Sequence, residues 1–331
     1  MNSKAINIPK KLILLFCSIS IFISCTHDPD PFEPEVKPDD NFIKKEACVY
    51  TDLIYACAPD TGLINQDLLL DIYLPAVDSA SQKFPLVLLI HAGSYLHGSR
   101  LWTAPTARIL QDSGFIVANI EYRLGWDVGD YSTPGRHSLP EAEYRGMQDA
   151  NAALRFLVAN SSNYRIDTSW IFVMGESAGA SIALNSTFAS EEAILYKSPE
   201  IVYKLGRLNQ SGNPYINRYK IRGVCSKYGS ISDSLFINRF NSLPVICFHG
   251  SNDNLVPVYT GLFLGNCESP AFGSAFIYER QLLINKVCEF HLKTGGTHMP
   301  PEFNPANSTP IVINFFKKVI KNEVESLYFE H

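Results

Sequence analysis

The residues that could do chemistry centre on Ser177. It lies in Trp170-Ile-Phe-Val-Met-Gly-Glu-Ser-Ala-Gly-Ala-Ser-Ile-Ala-Leu. An apolar run enters Gly175 and a small-residue helical pattern leaves Gly179, which predicts a strand, a sharp turn and a helix with the serine at the apex. Such a turn strains the backbone at the serine, and the small neighbours Gly175, Ala178 and Gly179 keep the space around it clear. A serine hydroxyl at its own pKa is a poor nucleophile, so Ser177 needs a base, and the base needs a carboxylate to hold one tautomer. Beyond Ser177 the histidines are His249, His291, His298 and His331. His249 and His291 sit within strand patterns, as core histidines do, and His331 ends the sequence. His298 lies in Gly295-Gly-Thr-His-Met-Pro, a glycine-rich loop just past the last apolar strand pattern, and is the expected base.

Several elements must carry these residues. Residues 68–74 alternate as a half-buried strand, whereas Pro85-Leu-Val-Leu-Leu-Ile90 and Phe115-Ile-Val-Ala-Asn-Ile120 are continuous apolar runs suited to strands covered on both faces. Residues 103–112 read as a helix. Ser138-Leu-Pro-Glu141 predicts a capping box that opens another helix, with Met147, Ala150, Leu154 and Leu157 on one face. Strands resume at 221–225 and 244–248. A helix follows over 274–285, a last strand over 287–292, and a final helix from Thr309-Pro310. Residues 190–218 break the rhythm and read as a polar, loop-like insertion after the nucleophile helix. Repeated strand and helix alternation implies an α/β fold, a mostly parallel, doubly wound sheet flanked by helices.

Taken together, the motifs resemble the α/β-hydrolases of the carboxylesterase and hormone-sensitive-lipase-like type. The matching residues are His91-Ala-Gly-Ser, Glu121-Tyr-Arg-Leu124, the 149–156 helix leading into Ile166-Asp, Gly175-Glu-Ser-Ala-Gly, His249-Gly-Ser-Asn-Asp253 and Gly296-Thr-His298, spread over roughly residues 85–300. The resemblance implies the order serine, acid, histidine along the chain. Asp253, after the 244–248 strand, then orients His298, with Asp233 as the next candidate. It also implies an oxyanion hole made by the N–H of Ala178 and by the loop after Ile90, through Gly93 together with Ser94. Ala92 and Ser94 replace two glycines of the family's His-Gly-Gly-Gly loop, so which loop N–H serves stays open. The expected reaction is hydrolysis of short-chain acyl esters, small molecules or acyl groups on polysaccharides, through an acyl-enzyme and without metal or cofactor. Trp126, Tyr131 and the tyrosines of the insertion (Tyr196, Tyr203, Tyr215) are candidates to stack on sugar rings or simply to pack long loops.

Two other classes fit less well. A serine peptidase of similar fold would need a substrate-gating domain. A non-catalytic surface binding protein would have no reason to keep serine, acid and histidine together. A net charge of −5 with no basic run argues against nucleic acid as a partner.

The first residues carry Lys4, Lys10 and Lys11, then an apolar run over 12–23, then Ser24-Cys25. This reads as a lipoprotein-type signal peptide over 1–24 with lipidation at Cys25. Thr26, rather than Asp, argues against inner-membrane retention, so the expectation is an exported protein anchored by lipid to a bacterial outer membrane, periplasmic or at the cell surface. Residues 25–46 alternate proline and acid as an extended tether, and 47–331 form the catalytic domain. In an oxidising compartment Cys48 with Cys57, and Cys267 with Cys288, are candidate disulfides, while Cys225 and Cys247 read as buried thiols.

Overall fold

The structure is a computed structural model that describes residues 44–60, 64–127, 138–265 and 269–331. The signal peptide, Cys25, nearly all of the tether, Tyr131 and Cys267 lie outside the described residues. The chain opens with β1 (Cys48–Pro59), β2 (Asn65–Leu74) and β3 (Phe84–Ile90), followed by α1 (Ala104–Asp112) and β4 (Ile116–Ile120). Next come α2 (Leu139–Ala159), β5 (Ile166–Glu176), α3 (Ala178–Phe188), α4 (Glu191–Lys197), α5 (Pro199–Leu205), β6 (Ile221–Lys227) and β7 (Val245–Gly250). The last part holds β8 (Thr260–Leu262), β9 (Pro270–Phe272), α6 (Ser274–Leu283), β10 (Cys288–Lys293), α7 (Pro305–Lys321) and β11 (Leu327–Glu330).

The described strands form one large sheet in the order β1-β2-β4-β3-β5-β6-β7-β10-β11, with β8 and β9 paired apart from it. From β4 to β11 all pairings are parallel, and β1 and β2 add the antiparallel edge. This is the doubly wound sheet expected from the alternation of strands and helices.

The continuous apolar runs have two covered faces because side chains alternate along a strand. Leu86, Leu88 and Ile90 of β3 join the core under α2 and α3, with Leu154 and Ile182. Val87 and Leu89 face the other way and join the core under α1 and α7, with Leu110, Phe315 and Phe316. Phe316 stacks on Phe172 of β5 with ring centroids 4.2 Å apart.

Four local expectations are corrected. The Ser138 hydroxyl accepts from the Asp127 N–H at 2.7 Å instead of capping α2, so the capping box does not form. The final helix starts at Pro305 rather than Thr309. The Asn304 side chain accepts from the Asn307 N–H at 3.1 Å and caps it there, leaving Pro310 inside the helix. The first half of the insertion is helical rather than loop-like, while residues 206–218 form the loop expected. The helical half holds α4, capped by Ser190, and α5, which bury Ile194, Ile201 and Val202 and leave Tyr196 and Tyr203 exposed. Tyr215 instead packs edge-on against Phe156. Cys48 and Cys57 stand at opposite ends of β1, nine residues and about 30 Å apart, far beyond the reach of a disulfide. Cys225, Cys247 and Cys288 are buried thiols. Among the described residues no helix is long and apolar enough to cross a membrane.

Candidate active site

Ser177 connects β5 to α3 with φ 52° and ψ −121°, a conformation that a residue with a side chain rarely adopts. Packing holds it there. The Ser177 N–H donates to the Lys227 carbonyl at 2.8 Å, and its own carbonyl accepts from Ala180 and Ser181 in the first turn of α3. A Cβ on Gly179 would lie 2.3 Å from the Ile90 carbonyl oxygen, so only glycine lets α3 approach β3 this closely.

Asp253 follows β7 and His298 follows β10, and these strands are neighbours in the sheet. The two loops are tied together beyond the strand ends. Ser251 N–H donates to the Lys293 carbonyl at 2.9 Å, and Asn252 N–H donates to the Gly296 carbonyl at 2.8 Å. Parallel strands thus deliver acid and imidazole to the same carboxyl edge of the sheet, where Ser177 also stands. His298 Nδ1 lies 2.6 Å from Asp253 Oδ2, and His298 Nε2 lies 2.9 Å from Ser177 Oγ. An ionised carboxylate only accepts, so Nδ1 carries the ring proton and Nε2 is free to accept from the serine hydroxyl.

Asp253 is well supplied with donors. Its Oδ1 accepts from the Leu255 and Val256 N–H groups, both at 2.9 Å. Burial alone would raise its pKa, but hydrogen bonds from His249, His298 and the Val256 N–H outweigh it and hold the carboxyl well below its usual range. His249 is buried, as its strand pattern predicts, yet its Nε2 also lies 3.2 Å from Asp253 Oδ2, and its Nδ1 is 2.8 Å from Ser274 Oγ. Its spacing of four residues from Asp253 was visible in the sequence, but its contact with the acid was not. Asp233 is engaged elsewhere, with Lys197 and the Leu235 N–H.

The loop after β3 turns through three consecutive residues with positive φ, namely Gly93 (131°), Ser94 (53°) and Tyr95 (61°). Their carbonyls are anchored. Gly93 O accepts from Leu96 and His97, Ser94 O from Trp126 Nε1, and Tyr95 O from Gly125. Among the described residues the N–H groups of Gly93, Ser94 and Ala178 donate to no other group of the chain, so they remain available to an oxyanion. A Cβ on Gly93 would lie 1.7 Å from the His97 carbonyl oxygen, which makes glycine obligatory there. Trp126 is buried against this loop and is not a platform for a sugar. The buried His91 braces the loop from below. It stacks on Tyr122 with centroids 4.4 Å apart and faces Glu121 Oε2 at 3.3 Å. Arg123 and Asp149 form a buried pair at 2.7 Å that ties the end of β4 to α2.

Sequence reasoning missed the partner of Glu176, the residue before the serine. Lys227 Nζ lies 2.7 Å from Glu176 Oε1, and Lys227 is 1% exposed. The two residues are in register on β5 and β6, but 51 positions apart, so no local pattern announces the pair. Lys227→Met would leave the glutamate without its counter-ion. It is expected to destabilise the fold by about 3–5 kcal/mol in urea unfolding, with much of the loss recovered in Glu176→Gln/Lys227→Met.

Glu143 on α2 is a second, half-buried acid near the site. Burial pushes its carboxyl up from the ordinary 4.5 to about 8. The folded protein then holds a proton that the unfolded chain releases between these values, so this carboxyl's contribution to stability falls as pH rises through that window. The Tm of the wild type is expected to drop by about several degrees more than that of Glu143→Gln between pH 5 and pH 8. Parallel Tm curves would show that the carboxyl is not held protonated. Among the described residues no three His, Cys, Asp or Glu side chains converge to hold a metal ion.

The BD-FAE family model matches residues 70–238, a stretch that holds the loop after β3 and Ser177 but ends before Asp253. Esterase FE4 of Myzus persicae is 25% identical over 224 residues, covering 66% of this chain and 37% of its own length. Carboxylesterase 3B of Mus musculus is 35% identical over 133 residues, 38% of this chain and 21% of its own length. The chain thus spans well under half the length of these relatives. Among solved structures, a truncated carbohydrate esterase from gut microbiota superposes with a TM-score of 0.58 at 16% identity, covering 83% of this chain and 97% of that one. The propionate-bound esterase 2 of Thermogutta terrifontis superposes with a TM-score of 0.57 at 15% identity, covering 84% and 95%. These likenesses show the α/β-hydrolase fold.

Proposed function

The chain belongs to the BD-FAE family, and from that premise we propose that it is a serine esterase that hydrolyses carboxylic esters through an acyl-enzyme. The observation that carries this reading is the hydrogen-bonded line from Asp253 Oδ2 through the His298 ring to Ser177 Oγ, at 2.6 and 2.9 Å. Ser177 Oγ attacks the ester carbonyl carbon while His298 Nε2 takes the hydroxyl proton. Asp253 holds the ring in the tautomer that permits this and stabilises the imidazolium. The tetrahedral oxyanion is received by the N–H of Ala178 and those of Gly93 and Ser94, each donor lowering the barrier by about 2.7–4 kcal/mol. His298 then gives its proton to the leaving alcohol. Water, deprotonated by the same nitrogen, releases the acid.

The proposed substrates are short-chain acyl esters, including acyl groups on polysaccharides. Two structural neighbours support that choice, one a carbohydrate esterase and the other an esterase with propionate bound. Export and lipidation at Cys25 are proposed from the residues of the leader alone. The experiment is a panel of p-nitrophenyl acetate, butyrate and decanoate with acetylated xylan and a feruloyl ester. Turnover that favours the short chains supports the reading. Decanoate as the best substrate would replace it with a lipase, and no turnover of any ester would remove it.

A further inference from the structure

His249 is fully buried in β7 and stands outside the hydrogen-bonded line from Asp253 to Ser177. Its neighbours fix the position of its ring proton. Nε2 lies 3.0 Å from the Val256 carbonyl oxygen, which can only accept, so Nε2 carries the hydrogen. Nδ1 is then bare and accepts from the hydroxyl of Ser274, itself fully buried, at 2.8 Å.

The Nε2 hydrogen has a second acceptor. Asp253 Oδ2 lies 3.2 Å from Nε2, so the hydrogen is shared between the acid and the Val256 carbonyl. Val256 is gripped at both ends, because its N–H donates to Asp253 Oδ1 at 2.9 Å while its carbonyl takes the His249 bond. The turn that bears the acid is thereby fastened to an inner strand of the sheet and, through Ser274, to the first residue of α6.

The carboxylate is saturated as a result. Oδ1 takes the N–H groups of Leu255 and Val256, and Oδ2 faces an N–H from each of two imidazoles, His298 and His249. A carboxylate offers about four lone-pair directions, and here each has a donor. Removing the His249 donor frees Oδ2 to swing away from His298. The base has little room to follow. A Cβ on Gly250 would lie 2.3 Å from the Thr297 carbonyl oxygen, so the loop that carries His298 passes directly over the residue after His249.

We propose that His249 is a positioning residue for the hydrolysis, whose Nε2–H holds Asp253 Oδ2 in the direction that the His298 ring requires. It touches no substrate. The role rests on the esterase reading above. A displacement of about 1 Å at a reacting group costs on the order of 10²-fold in rate, so the effect belongs in kcat rather than in KM.

The test measures p-nitrophenyl acetate turnover in the wild type, His249→Leu, His249→Gln and Ser274→Ala. Each protein is also labelled with a fluorophosphonate to count competent sites, and its low-field proton spectrum is read for the His298 Nδ1–H. Glutamine places an amide N–H near the position of the imidazole Nε2, whereas leucine fills the space without a donor. His249→Leu is expected to lower kcat by about 10- to 100-fold with KM within about threefold, to take one label per chain more slowly, and to lose the low-field resonance. His249→Gln should recover most of the kcat and the resonance. Ser274→Ala, which removes the hold on Nδ1, should lower kcat severalfold. If His249→Leu takes no label, Ser274→Ala decides, and a wild-type kcat there overturns the role. A fully labelled His249→Leu with wild-type kcat, or a folded His249→Gln no better than His249→Leu, would overturn the role while leaving the esterase. A wild type that neither labels nor hydrolyses would overturn both.

Discussion

Ser177→Ala is expected to lower kcat for p-nitrophenyl acetate by about 10⁴–10⁶-fold while leaving the Tm within a few degrees of the wild type. The substitution removes only Oγ. The turn itself is held by groups that alanine keeps, namely the N–H to Lys227 O bond and the carbonyl that starts α3. Binding groups and oxyanion donors stay in place, which is why the floor is a residual rate rather than zero. Retention of more than about one per cent of wild-type kcat would mean that another group attacks the ester.

Asp253→Asn is the second large effect, an expected loss of about 10⁴-fold in kcat at neutral pH. Asp253 Oδ1 accepts two backbone N–H groups, so the amide oxygen of the variant must take that side. The amide NH₂ then replaces Oδ2, the atom that faces both His298 Nδ1 and His249 Nε2. His298 can satisfy it only by accepting at Nδ1, which moves the ring proton to Nε2 and leaves no base for Ser177. Stability responds as well. The folded state holds the Asp253 carboxyl below its ordinary 3.8, so its contribution is present above that pH and is lost as pH falls below it. The wild-type Tm should therefore fall more steeply in acid than that of Asp253→Asn. A variant with near wild-type kcat, or with an equally steep acid limb, would contradict the role of this carboxylate.

The part of the site that was legible in the sequence is the part encoded where strands end. Ser177, Asp253 and His298 each follow an apolar run and sit in a turn marked by glycine, and a parallel sheet sends such turns to one edge. The supports were not legible because they join residues far apart in sequence. Lys227 meets Glu176 only through the pairing of β5 with β6, and Glu143 joins Asn185 only because α2 packs on α3. His249 was recognised as buried, but an apolar strand pattern does not tell which polar group a buried ring faces. The misplaced details were local competitions. The Ser138 hydroxyl accepts from the Asp127 N–H rather than from the first turn of α2, and Asn304 caps α7 ahead of Thr309. The disulfide between Cys48 and Cys57 fails because a strand keeps its two ends apart, a fact that counting cysteines does not contain.

The central claim is that the hydroxyl of Ser177 is made nucleophilic by His298 in water near neutral pH. Treating the folded protein with a fluorophosphonate at pH 7.5 and reading the intact mass tests this without any choice of ester. One adduct per chain, mapped to the peptide that contains Ser177, absent in Ser177→Ala and slowed by about 10³-fold or more in His298→Ala, is the expected result. An unmodified protein, or an adduct formed equally fast without His298, would contradict it.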